Sequence, residues 1–598
     1  MEAICKEEIN MSIKGTLAKV WQRKNAREEG IRNTDSIKTL CNFMKNVSKE
    51  WDIDESKDLT YWYIDQYYQR MEEETDPSIL QQKYNNTLIH TLSLWADFHF
   101  LCPLIHDFNM RTLAKVDNDT IRLLLHQLLI SAKSTRDSNL MTILLQRSCS
   151  HIENIIRLFW CLVVEVERDT SRELKELKET KQKPSTSERF WAKMVYDLMT
   201  YLNSSMETKR TKEILTKQGV LVERLVTLSG TLRQSRLSIV QKRKILKKIL
   251  NDSPDLLLFD PIPLPIKGDI SVIGIVPESC SVFQSQLNPM LLTFLTKEGK
   301  LLKCIFKSGD DLRQDAVMCE ILLIVCNVLQ SNGVSPEDIV TYEVVSTGLS
   351  HGFVEFIQSE CLDNIFQESE GLKKLLSKTK GKDNGEYELD EGKMTRFINS
   401  TAYYTIVTYI MCIGDRHLDN ILLTNDGRLF HIDYGFIGRE PKPFAPAVKL
   451  CPEIIDIMGG KNSGYYVTFM KRCLSCFLIL RKNAHVILDL LELMLDAGID
   501  DINVATIGKI KQRFALDVSD KEAIATLTSD IEKGFENILP KMMDNFHHTW
   551  KVVSAGGITQ KKAIDSPTGV NYDEWAFISE EVTTSHDAED DDIIDLVE

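Results

Sequence analysis

The sequence predicts a multidomain protein: an all-α, solenoid-like helical domain followed by a two-lobed α+β domain. Three observations carry this. Residues from about 17 to 250 read as helix after helix, a proline-rich break falls at DPIPLPIKG (260–268), and short apolar runs with turn signals follow it. At about 100–200 residues per domain, the 598 residues allow two to four domains. A hydrophobic fraction of 43% lets most of the chain bury a core.

The expected boundaries are an N-terminal extension at 1–16, a helical domain at 17–250, a linker at 251–268, the two-lobed domain at 269–552 and an acidic tail at 553–598. In the helical part, TLIHTLSLWADFHFL and IENIIRLFWCLVVEVERD place apolar residues at helical spacing. No fixed-period repeat stands out, although stacked antiparallel helix pairs fit the pattern. SRELKELKETKQKPSTSER (171–189) is charged, holds Pro184, and reads as an exposed loop or a frayed helix. At 261–265 the alternate prolines forbid helix and favour an extended linker.

Beyond it, ISVIGIV and MLLTFLTKEGKLLKCIF read as strands, the second run a hairpin turning at Glu298-Gly299. DLRQDAVMCEILLIVCNVLQ reads as a buried helix, and AYYTIVTYIMCI as a buried helix or strand ended by Gly414. This divides the second domain into an N-lobe at about 269–355 and a C-lobe at about 358–552. IEKGFENILPKMMDNFHHTWK (531–551) has an amphipathic pattern, with Pro540 expected to kink or break it. The tail after Val553 is polar, then acidic, and is expected to be disordered.

Composition excludes some classes. The net charge of −15 argues against a nucleic-acid binder. The 14 cysteines show no regular framework and MEAICKEEIN has no signal-peptide pattern, so they read as reduced thiols in the cytosol or on its membranes. No apolar run reads as a membrane span: CFLILRKNAHVILDLLELM is broken by Arg481, Lys482 and His485.

The chemistry concentrates in CIGDRHLDNILLTNDGRLFHIDYG (412–435). NILLT and RLFHID are strands joined by Asn425-Asp426-Gly427, a strong hairpin signal. Pairing Thr424 near Arg428 brings Asn420 opposite Ile432 or Asp433, so an amide oxygen lies beside a carboxylate. Such oxygens suit Mg²⁺, which takes few protein ligands and completes its shell with phosphate and water. Asp415 and His417, at the mouth of the hairpin, can take a proton from an attacking hydroxyl. Upstream, IFKSGDDLRQD puts Lys307 at a strand end, where a cation can meet nucleotide phosphates. Together these parts point to phosphoryl transfer from ATP.

G-D-R-H-L-D-N followed by H-I-D-Y-G resembles the catalytic and metal-binding loops of the phosphatidylinositol 3-kinase family, with Asp-Arg-His in reverse of the protein-kinase order. The likeness runs from about Val20 to Lys551 and is nearest to the class III, vacuolar-sorting type of catalytic subunit. PIPLPIKGDISVIGIVPESCSVFQS, REPKPFAPAVKL and DAGIDDINVATIGKIKQRFALDVSDKEA carry that finer likeness. It implies a two-lobed kinase-like domain that uses ATP with Mg²⁺ or Mn²⁺ to phosphorylate the 3-hydroxyl of phosphatidylinositol.

Residue by residue, the resemblance implies Lys307 on the ATP phosphates, Asp315 and Tyr342 in the inner pocket, and Glu355, Phe356 and Ile357 as a hinge offering backbone groups to adenine. ESCSVFQS (278–285), with Ser279 and Ser281, would cover the phosphates. Asp415 and His417 would serve proton transfer, Arg416 the loop itself, and Asn420 and Asp433 the metal. The segment after Gly435 should face the lipid headgroup. Its sparse cations, Arg439, Lys442 and Lys449, stiffened by Pro441, Pro443 and Pro446, suit an inositol without extra phosphates.

Further expectations concern the membrane and partners. Phe546 and Trp550 belong to a helical stripe that reads mainly as core, with its tip at the membrane. In the tail, Trp575 and Ile578 of YDEWAFI resemble the motif that adds a strand to autophagy ubiquitin-like modifiers. The likeness also implies a protein-kinase-like regulatory subunit and work at endosomal, vacuolar or autophagic membranes. Departures from the family pattern are the missing N-terminal C2 domain, Tyr434 in place of Phe, and an activation segment shorter by one residue. The alternatives are a phosphatidylinositol 4-kinase, a related protein kinase, or a catalytically inactive scaffold.

Overall fold

A computed structural model describes residues 67–69, 71–95, 103–180, 190–378, 387–414, 416–438, 447–448 and 450–536. The chain forms two compact units, one of residues 1–120 with 130–140 and one of residues 121–129 with 141–598.

In the first unit, Asp76 caps α1 (Pro77–His90) by accepting the Ser78 N–H at 2.8 Å. Helix α2 (Pro103–Lys115) follows, and the Tyr68 hydroxyl reaches its Phe108 carbonyl (3.1 Å) and Thr112 hydroxyl (2.7 Å). Helix α3 (Asn118–Thr135), capped by Asp117, and α4 (Ser138–Cys149) are each divided between the two units.

The second unit continues with α5 (Ile152–Thr180) and α6 (Phe190–Leu202). Helices α7 (Met206–Gln234) and α8 (Ile239–Asn251) each open on a reciprocal capping box, Ser205 with Thr208 and Ser238 with Gln241. The charged run from Ser171 therefore stays helical to Thr180; residues 181–189 lie outside the described part.

After the short α9 (Pro254–Leu257), a seven-stranded sheet is built from β1 (Ile262–Leu264), β2 (Lys267–Ile275), β3 (Ser281–Val282), β4 (Met290–Thr296), β5 (Leu301–Ser308), β6 (Val344–Gly348) and β7 (His351–Glu355). Its order is β1-β2-β4-β5-β7-β6, with β3 paired to β4. The stretch expected to be a free linker is extended, as its prolines require, but forms the edge strand: Ile262 pairs with Val272 and Leu264 with Lys267. An edge is where a strand tolerates proline, because its N–H is not needed by a second neighbour. The β4–β5 hairpin turns at Gly299, whose φ of 78° needs a glycine.

Helix α10 (Arg313–Ser331) is long and apolar enough to cross a membrane by composition, against the expectation that no segment would be. It is instead a core helix, with Val317, Met318, Ile321 and Leu322 at zero exposure. It packs on β6 and on α15 (Gly464–Lys482). A second sheet has the order β10-β9-β8, from β8 (Ser359–Cys361), β9 (Ile421–Thr424) and β10 (Leu429–His431). The remaining helices, in chain order after β8, are α11 (Leu362–Gln367), α12 (Gly371–Leu376), α13 (Glu391–Ile410), α14 (Pro452–Ile457), then α15, α16 (Ala484–Leu493), α17 (Val504–Phe514) and α18 (Asp520–Glu536).

AYYTIVTYIMCI is the end of helix α13, which stops at Ile410, before Gly414. Cys412 makes the turn with φ of 49°. Cys473 and Cys476 have a C-x-x-C spacing, but both lie buried in α15, and burial pushes the Cys476 thiol up to about 12. Buried, protonated thiols are packing groups rather than ligands.

Candidate active site

Strand alternation puts Cys304 and Phe306 on the buried face of β5 and Lys307 on the other. The Lys307 ammonium pairs with Asp310. Burial alone would push this lysine down. The carboxylates of Asp315, Asp433 and Asp310 outweigh burial and hold it above its ordinary value.

The polar start of α10 grips the segment after β10. Asp315 accepts the Tyr434 N–H at 2.7 Å, and the Gln314 amide donates to the Tyr434 carbonyl at 2.7 Å. Both backbone groups of Tyr434 are thus fixed by one helix end. Burial raises the Asp315 carboxyl to about 6, with Asp433 adding to the rise and Lys307 opposing it.

Asp433 has a φ of 60°, in the left-handed region where a non-glycine residue costs about 1 kcal/mol or more. Arg416 holds that turn. Its guanidinium donates to the carbonyls of Gly414 (3.0 Å), Ile432 (2.8 Å) and Asp433, and lies 5.6 Å from the Tyr434 ring centroid. The hairpin pairs as its turn predicts. Thr424 N–H donates to Arg428 O at 3.0 Å, and Ile432 N–H donates to Asn420 O at 3.0 Å. Asn420 and Asp433 therefore flank the same ladder end, Asn420 buried and Asp433 exposed.

The tyrosine at 434 has its own partner. Its ring is fully buried and its hydroxyl donates to His431 O at 2.8 Å. His431 stacks on Tyr404 at 5.2 Å, and burial, aided by Arg416, keeps its imidazole neutral. The His417 ring nitrogen Nδ1 lies 3.8 Å from Asp419 Oδ2.

Tyr342 is buried edge-on to Phe430, at 6.2 Å between ring centroids. Ser281 is in the ladder opposite Leu291, and Ser279 accepts the Thr293 hydroxyl at 2.9 Å through its carbonyl. A cavity of about 300 Å³ adjoins the hinge, lined by Lys267, Lys303, Cys304, Glu355, Phe356 and Gln358 among others.

At the start of the hinge one backbone donor is already used. The Glu355 N–H is spent on Glu343 O at 2.9 Å, and its carboxylate accepts the Glu343 N–H and pairs with Lys267 at 3.0 Å. Glu355 closes the sheet, and its N–H is not free for a base.

Asp415, Arg439, Lys442, Lys449, Phe546, Trp550, Trp575 and Ile578 lie outside the described residues. Sequence reasoning missed Gln314 and Arg313. Arg313 donates to the carbonyls of Ala497 (2.9 Å) and Gly498 (3.1 Å), securing the loop before α17. The dense polar run DDLRQD at the mouth of an apolar helix was the available signal.

A small antiparallel sheet joined to a helical lobe, with a strand-end lysine facing a hairpin of acids, is the architecture of a kinase-like fold. The chain carries a phosphatidylinositol 3- and 4-kinase domain: residues 302–380 and 367–504 match that family model. It is 32% identical over 467 residues to phosphatidylinositol 3-kinase pik3 of Schizosaccharomyces pombe, covering 75% of this chain and 56% of that protein. Against phosphatidylinositol 3-kinase VPS34 of Arabidopsis thaliana it is 32% identical over 471 residues, 75% of this chain and 55% of the relative. The VPS34 protein of Saccharomyces cerevisiae is 33% identical over 345 residues, 57% and 39% of the two chains. The chain thus spans about half the length of the first two of these relatives.

Proposed function

We propose that the protein is a lipid kinase that moves the γ-phosphate of ATP to the 3-hydroxyl of phosphatidylinositol. The observation that carries it is the gathering of Lys307 and Asp315 within electrostatic reach of Asp433, which follows the ladder end that holds Asn420. Three acids, with Asp310, face one lysine, and the surplus of negative charge fits a divalent cation.

Asn420 and Asp433 would hold that cation, with Mg²⁺ favoured over softer metals by the all-oxygen donors. When bound, it neutralises charge on the phosphates during transfer. Lys307 binds the phosphates from the strand side. Arg416 keeps the Asp433 turn in shape, and Asp315 with Gln314 keeps that turn against α10. Asp415 and His417 are assigned proton removal from the attacking hydroxyl, and Ser279 and Ser281 the cover of the phosphates. Glu355, Phe356 and Ile357 are assigned the hinge, which offers backbone groups to adenine.

The class III reading extends to unsubstituted phosphatidylinositol as substrate, with Arg439, Lys442 and Lys449 at the headgroup and Phe546 and Trp550 at the bilayer. A protein-kinase-like regulatory subunit, an autophagy ubiquitin-like modifier at Trp575–Ile578, and a peripheral place on endosomal, vacuolar or autophagic membranes complete it. The names of the relatives support its 3-kinase part.

The test is lipid kinase activity on phosphatidylinositol vesicles with ATP and Mg²⁺ or Mn²⁺, resolving the products. A 3-phosphate that disappears in Asp433→Ala supports the reading. A 4-phosphate gives the protein to the rival lipid kinases. Nucleotide binding without product, even with the regulatory subunit added, makes it a scaffold.

A further inference from the structure

Helix α8 reads IVQKRKILKKILN, an amphipathic helix with a basic outer face. It packs against β3 and the 3-10 turn Pro277–Ser279, the loop assigned above to the ATP phosphates. Three of its cations reach that loop from behind. Lys242 donates to the Asn288 side-chain oxygen at 2.7 Å, Arg243 Nε to Val282 O at 3.0 Å, and Lys247 pairs with Glu278 at 3.1 Å.

These contacts are unequal. The Lys247 pair is exposed and screened, so it contributes little. Lys242 is different: the residue is only 8% exposed, and the acceptor of its ammonium is a neutral amide. A lysine buried against an amide, rather than a carboxylate, is costly and gains little stability by itself. What it fixes is unusual backbone. Asn288 sits at φ of 48°, and its N–H and side-chain amide both return to Ser285 O, at 3.2 and 2.6 Å. Lys242 thereby pins the residue that closes the 283–288 turn. Arg243 fixes the other end of the same turn at Val282. From the neighbouring helix α7, Arg233 donates to Ser308 O at 3.3 Å, one residue beyond Lys307.

We propose that Lys242 and Arg243 are positioning residues for nucleotide binding, through which the helical layer holds the phosphate-covering loop in its ATP-ready shape. They touch no substrate. Their effect is on how much of the loop is preorganised, so ATP binding should suffer while the lipid side is spared. The inference rests on the lipid kinase reading above.

The experiment measures steady-state kinetics against ATP and against phosphatidylinositol vesicles for Lys242→Met, Lys242→Arg and Arg243→Ala. Losing a charge-assisted hydrogen bond that orders the loop should raise KM for ATP about five- to tenfold for Lys242→Met and Arg243→Ala. KM for the lipid and kcat should stay within twofold, and Lys242→Arg should restore the ATP value. Hydrogen exchange at 279–288 should quicken in Lys242→Met. If Lys242→Met does not fold, Asn288→Gly removes the same contact from the loop side while allowing the positive φ, and should give the same shift. An unchanged KM for ATP in these variants, or an equal loss toward both substrates, overturns the proposal. A wild-type chain that binds ATP but phosphorylates no lipid overturns the kinase reading instead. The positioning role is then judged by the variants' ATP affinity alone.

Discussion

Replacing Asp315 with Asn should make the protein more stable and inactive. The carboxyl is buried and held near about 6, against an unperturbed 3.8. Desolvation is the main cause, Lys307 opposes it, and Asp433 adds to it. An acid whose folded value is raised binds its proton more tightly when folded. Its contribution to stability is therefore full below 3.8 and lost as pH rises through about 6. At pH 7 the ionised group costs about 3 kcal/mol, at 1.36 kcal/mol per pH unit of displacement. Asparagine has the same shape and can still accept the Tyr434 N–H, so it removes the charge without opening a void. Thermal melts of both chains between pH 4.5 and 8, without nucleotide, are the assay. The melting point of Asp315→Asn should exceed wild type by about 3 °C at pH 7, and the gap should close toward pH 4.5. A variant less stable than wild type at pH 7, or a gap independent of pH, would refute the reasoning. Lipid kinase activity should be lost throughout, the usual relation of a strained acid to a working site.

Lys307→Met should leave folding intact and cut kcat/KM for ATP by at least a hundredfold, measured by product formation on vesicles. Tyr434→Phe keeps the buried ring but loses the bond to His431 O, so it should cost about 1 kcal/mol in denaturant unfolding while the kinase stays active. Arg157→Met should be harsher. It strips Glu320 of its 2.7 Å ion-pair partner and leaves this buried carboxylate only the Gln127 amide (2.7 Å), so about 3 kcal/mol should disappear from the unfolding free energy of that unit.

Much of the site could be read from local sequence because local geometry makes it. Asn425-Asp426-Gly427 sets a hairpin, the hairpin sets the register, and the register carries Asn420 to Ile432. The apolar run of α10 announced a buried helix for the same reason. What escaped depends on partners far along the chain. Nothing near Tyr434 says that Gln314 and Asp315 will fix it, more than a hundred residues away in sequence. The edge strand β1 hid behind its prolines, and β8 is three residues long, too short for alternation to show. Asp433 and Cys412 take left-handed turns in residues that rarely do, so no glycine flagged them. The Glu355 N–H was lost to a cross-strand bond with Glu343 that no pattern within the hinge could have foretold.

Helix α10 has a life before the fold is finished. Its apolar surface is covered by β6 and by α15, which ends at Lys482. About 150 residues must therefore leave the ribosome after Ser331 before the cover is complete. At about 5–20 residues per second that is roughly 8–30 seconds. Throughout that interval the nascent chain displays a 19-residue segment as apolar as a membrane anchor. The order of synthesis thus leaves α10 waiting for a cover that only the late arrival of α15 completes.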